Sequence, residues 1–121
     1  MKRDNEMPAV DSVSSFHGEV FQTLLDEKAP AWSSNPDCVV VWTRPEGVLQ
    51  AFRDLLSCSR VSDQDLNREV DSYAAALLRA SKRIRAMFVP TWVIPPFHQT
   101  QGLLDLAASG GAARALMRIN V

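Results

Sequence analysis

Two cysteines in 121 residues, at positions 38 and 58, are too few for a disulfide framework, and they sit in unlike settings. Cys38 opens an apolar run and Cys58 lies in a polar stretch, so a reducing, cytoplasmic setting is expected. Net charge is equally scarce. At −1 the chain has no long-range pull toward nucleic acid or an anionic membrane surface. The three tryptophans have no basic residues interleaved with them, which removes the usual platform for stacking on bases. Two histidines and two cysteines, at 17, 38, 58 and 98, give no close ligand pair, so neither a metal nor another cofactor is expected. No apolar run is long enough to span a bilayer. The start, Met1-Lys2-Arg3-Asp4-Asn5-Glu6, lacks the apolar segment of a signal peptide. No internal repeat is visible.

What is present is ordinary in bulk and informative in one place. A content of 46% hydrophobic and 22% charged residues suits a single soluble domain. The informative place is Pro36 to Val48, P-D-C-V-V-V-W-T-R-P-E-G-V. The β-branched run from Asp37 to Trp42 reads as a strand, and an unbroken apolar run implies burial on both faces, as in parallel sheets. Thr43 is then expected to cap a helix, with Pro45 in its first turn and Glu46 as the reciprocal partner. Open α/β folds build ligand sites at such strand ends.

Around this segment the chain divides readily. Residues 1–15 are polar and Ser-rich and are expected to be a disordered lead-in. Phe16, Val20, Phe21, Leu24 and Leu25 recur at helical steps until Pro30. Beyond the strand, Val48, Phe52, Leu55 and Leu56 share a helix face. Ser62 with Asp65 opens a long helix whose stripe is Leu66, Val70, Tyr73, Ala74, Leu77 and Leu78. Arg79, Lys82, Arg83 and Arg85, with Arg114 and Arg118, read as a solvated basic face. A second strand is expected from Arg85 to Trp92, with Pro90 at an edge or bulge. Pro95-Pro96 marks a loop, and Gly110-Gly111 precedes a last helix from Ala112 to Val121. Strand, crossover helices and strand give a parallel pair. Two strands are few for a sheet, and the last helix shows no C-cap. A truncated α/β domain, or one completed by a partner, is therefore the expectation.

The blocks F-H-G-E-V-F-Q-T-L-L-D-E-K-A-P-A-W, P-D-C-V-V-V-W-T-R-P-E-G-V, F-V-P-T-W-V-I-P-P-F-H and L-L-D-L…A-L-M-R-I-N resemble the N-terminal SGNH-hydrolase-like domain of FkbH-like proteins. Such proteins serve secondary-metabolite and surface-polysaccharide biosynthesis, and a haloacid-dehalogenase-type phosphatase domain follows the SGNH-like one. The resemblance implies a partial doubly wound, flavodoxin-like three-layer sandwich over residues 16–121. It also implies an acyl carrier protein or the phosphatase-type domain as partner; a homodimer is a separate expectation, from the shortage of strands. The family's motifs are mostly missing. No Gly-Asp-Ser block follows a strand, since Asp11-Ser12 has none before it and Asp71-Ser72 falls inside a helix. No Asp precedes His17 or His98 by three residues, and the dehalogenase Asp-x-Asp is absent. The family's Gly-x-Asn-Asp block aligns with Trp42-Thr43-Arg44-Pro45, so an oxyanion-hole Asn is replaced by an Arg-Pro turn.

No catalytic residue is therefore assigned. Candidate ligand contacts are Thr43 and Arg44 at the strand end and Trp92 and His98 on the loop after the second strand. At a helix start, Thr43-Arg44 would suit a carboxylate or a phosphopantetheine phosphate. The plainer reading is a capping threonine beside a solvated arginine. His98 has acid–base potential, yet no nucleophile or acidic orienter can be assigned to it; packing against the neighbouring aromatics is its plainer role. A hydrolytic or acyl-transfer enzyme completed by another chain, and a small module that dimerises through its sheet edges, remain the other readings.

Overall fold

A computed structural model describes residues 9–15, 18–93 and 111–120. Along the chain lie α1 (Val20–Leu25), a 3-10 turn (Pro30–Trp32), β1 (Cys38–Val40), α2 (Pro45–Val48), α3 (Gln50–Leu56), α4 (Asp63–Ser81), β2 (Ala86–Phe88) and α5 (Ala112–Ile119). The strands pair in parallel, with Cys38 opposite Ala86 and Val40 opposite Phe88. Val41 N–H extends the ladder to the Phe88 carbonyl at 2.9 Å. The chain is thus a small α/β fold, as expected.

The helices build their core on one side of this pair. Buried residues of α1, α3, α4 and α5 join Val41 in a single cluster, and Val39 and Met87 pack against it. On the opposite side no described helix packs, and Val40 is 57% exposed, Trp42 79% and Phe88 58%. Burial of the apolar run on both faces is therefore not observed, and Cys38 is exposed as well. A period of two carries alternate residues to opposite faces, and among the described residues only one face has helices over it.

Local chemistry accounts for the element ends. Ser62 Oγ accepts the Asp65 N–H at 3.1 Å and donates to the Asp65 carboxylate at 2.6 Å, the expected capping pair of α4. Its buried stripe is Leu66, Tyr73, Ala76 and Ala80, with Val70 and Leu77 half-buried. Leu78 and Ala74 fall outside it because their helical phase points them away from that seam. The segment after Arg44 is broken into α2 and α3 at Leu49, which is extended (φ −115°, ψ 112°) and fully buried. No local side chain caps α3; instead Glu69 of α4 accepts the Ala51 N–H at 2.9 Å. The last helix runs to Ile119, and the Asn120 N–H continues its ladder to the Leu116 carbonyl at 3.1 Å.

The basic cluster is only partly a solvated face. Arg79 pairs with Glu27, and Arg118 with Asp63. Arg83 lies 4.7 Å from the Trp32 ring centroid and donates to the Leu24 carbonyl at 3.0 Å. The Arg79 and Arg83 contacts tie α1 and its following loop to the end of α4, and the Arg118–Asp63 pair ties α5 to its start. Phe16 and His17 lie outside the described residues.

Candidate functional site at the strand ends

A parallel pair delivers both strand ends to one edge. Beyond β1 the chain reaches Thr43 and Arg44, and beyond β2 it reaches Trp92. The structure brings Thr43 and Trp92 together: the indole Nε1–H donates to Thr43 Oγ1 at 3.1 Å. Tyr73, from the middle of α4, places its hydroxyl 3.1 Å from the same oxygen. Its ring stacks on Trp92 at 5.6 Å and on Phe21 at 6.2 Å. Asn120 then fixes the Trp92 backbone, accepting its N–H at 3.0 Å and donating to its carbonyl at 2.8 Å.

Thr43 is consequently not a helix cap. Arg44 occupies that position, with no side-chain capping bond, and Pro45 begins the helix. Glu46 makes no reciprocal bond; its Oε2 is buried without a hydrogen-bond partner. The Thr43 hydroxyl is drawn inward by the phenol and the indole. With only four residues, α2 is also too short to project the dipole of a true helix end. Any positive potential at the corner belongs to the Arg44 guanidinium, which is exposed and makes no side-chain hydrogen bond or ion pair with described residues.

The protonation of this network limits its chemistry. Burial raises the Tyr73 phenol above its ordinary value, and the Thr43 hydrogen bond only partly opposes this. Trp92 can only donate. Neither neighbour of Thr43 can therefore take its proton near neutral pH, and an unactivated hydroxyl is a poor nucleophile. Two hydroxyl protons share one O···O contact, which leaves a single O–H to donate elsewhere. The corner can thus offer one hydroxyl donor and one guanidinium fork.

The remaining candidates separate from this corner. His98, Pro95 and Pro96 lie outside the described residues. Asp11 and Asp71 are exposed, and the Ser72 hydroxyl donates back to the Arg68 carbonyl at 2.9 Å. Among the described residues no cluster of three or more His, Cys, Asp or Glu could hold a metal ion. A shallow cleft of about 350 Å³ between α3 and α4 is lined by charges of both signs, including Asp54, Arg60, Asp65 and Glu69. Tyr73 and Asn120 were not singled out by sequence reasoning. Tyr73 is the chain's single tyrosine, on a buried stripe, and a lone polar aromatic there signals a hydrogen-bond partner nearby. Asn120 gave no signal.

No protein-family model matches the chain, and neither a curated protein nor a solved structure is significantly similar to it. Among the described residues no helix is long and apolar enough to cross a membrane.

Proposed function

We propose that the chain is a non-catalytic, cytoplasmic SGNH-like domain of the FkbH-like type, whose strand-end corner holds a carrier-linked acyl or glyceryl group without cleaving it. The observation that carries this reading is the placement of the Thr43 hydroxyl between a buried phenol and an indole, with no base beside it among the described residues. Arg44, exposed at the same turn, supplies a fixed charge suited to the phosphate of a phosphopantetheine arm or to a glyceryl carboxylate. An acyl carrier protein and a phosphatase-type domain are the corresponding partners.

Titration with phosphopantetheine, followed by tryptophan fluorescence, tests the reading. Binding should be saturable and weakened by salt. Arg44→Ala should weaken it about tenfold or more, the worth of one charge-assisted hydrogen bond. A short-chain nitrophenyl ester should not be hydrolysed. Hydrolysis that disappears in His98→Ala would replace this reading with the enzymatic one, an esterase or acyltransferase completed by another chain.

A further inference from the structure

The sheet face that the helices leave uncovered has a definite composition. Alternation places Cys38, Val40 and Trp42 on it from the first strand, with Ala86 and Phe88 from the second. None of these side chains is charged. Taking about 150–250 Å² per aromatic side chain, the exposed parts of Trp42 and Phe88 together with Val40 form a patch of roughly 400 Å², the size at which apolar surface marks an interaction site. Two such patches in contact would bury about 800 Å². Exposed Cys38 enlarges this slightly, to the low end of interface sizes, that of a weak, concentration-dependent association.

The register also makes the patch complementary to itself. Small residues, Cys38 and Ala86, form one row; Val40 and Phe88 form the middle row; Trp42 stands alone as the bulky end. A two-fold axis lying between two facing sheets and crossing their strands sets Trp42 of one copy over the Cys38–Ala86 hollow of the other. It sets the middle row over itself. An uncharged ridge-and-hollow pattern of this kind suits an isologous contact and offers nothing to a charged partner. We propose that this face is the interface of a homodimer packed sheet to sheet. The inference does not depend on whether the Arg44 corner binds a ligand.

Sedimentation equilibrium of the full chain tests it, from low micromolar to several hundred micromolar. A concentration-dependent monomer–dimer equilibrium is expected. Val40→Lys brings two ammonium groups together near the axis and should weaken the dimer about a hundredfold or more. Trp42→Lys should do the same by removing the ridge. Both positions are solvent-exposed in the monomer, so both variants should keep the parent's far-ultraviolet dichroism. Leu78→Lys, at a 67% exposed position on α4, should leave the equilibrium unchanged. A chain that stays monomeric throughout the range overturns the proposal and shifts the cover to residues 94–110 or to a different protein. A dimer that survives both lysine substitutions overturns it equally, because its contact then lies elsewhere.

Discussion

Removing the Thr43 hydroxyl while keeping its shape is the sharpest perturbation of the strand-end corner. Thr43→Val preserves the volume and strips the acceptor from the Trp92 indole and the partner from the Tyr73 phenol, both at 3.1 Å. Tyr73 is 3% exposed, so its hydroxyl has little access to water, and leaving it unpaired costs about 1–2 kcal/mol. Trp92 is half-buried and regains some hydration, which puts its share nearer about 1 kcal/mol. The sum of about 2–3 kcal/mol is a large part of the stability of a small domain, and corresponds to a fall in Tm on the order of 10 °C. Thr43→Ser keeps the oxygen and loses one methyl, at most about 0.8 kcal/mol. Packing alone would rank the two substitutions in the opposite order. Urea denaturation followed by fluorescence gives both values. A valine variant as stable as the serine variant refutes the claim that this hydroxyl organises the corner. Pairing Thr43→Val with Tyr73→Phe adds a second check: the double variant should lose less than the two singles combined, since it leaves no orphaned phenol.

Three further outcomes follow from the same geometry. Tyr73 has its phenol raised by burial, whereas an unfolded tyrosine ionises near pH 10. Above that point the unfolded chain has lost the proton that the folded chain keeps, so stability should fall as pH rises and level off beyond the folded value. As the single tyrosine, its phenolate absorbance reports the group directly, and Tyr73→Phe should flatten that limb of the stability curve. Asn120→Asp retains the acceptor for the Trp92 N–H but sets a carboxylate against the Trp92 carbonyl; it should cost about 1–2 kcal/mol at neutral pH, with the deficit relative to the parent shrinking once acid protonates the new side chain. Cys58 adopts a left-handed backbone (φ 59°) just after α3, and Cys58→Gly should raise the urea midpoint by an amount equivalent to about 0.5–1 kcal/mol.

The elements whose causes are local could be read from the sequence. The Ser62–Asp65 cap, the α4 stripe through Leu66 and Tyr73, and the parallel order of the two strands all rest on spacing within a few residues or on connection length. Cross-chain causes were not readable. Nothing near Gln50 reveals that Glu69 caps α3, and nothing near Thr43 reveals that its hydroxyl points inward, because the groups that decide these matters come from α4 and from beyond β2. The same holds for burial of the strand. Val39-Val40-Val41-Trp42 is apolar throughout, and composition alone cannot say that one face meets helices while the other carries an exposed Trp42. The meeting of Thr43 with Trp92 at one edge was legible, since parallel strands deliver their ends together. The Asn120 clamp on Trp92 was not.

Helix α4 also bears on the order in which the chain folds. Its 19 residues span roughly 28 Å at 1.5 Å per residue, and they make up much of the connection between β1 and β2. Closing a flexible connection of that length would carry an entropic cost that slows parallel pairing. A rigid rod inside the connection removes many of those freedoms beforehand, because a helix forms within about a microsecond from contacts made only along itself. The Ser62 cap then has a kinetic meaning beyond its static hydrogen bonds. It sets where the rod begins, and so how much loose chain remains when the two strands search for each other.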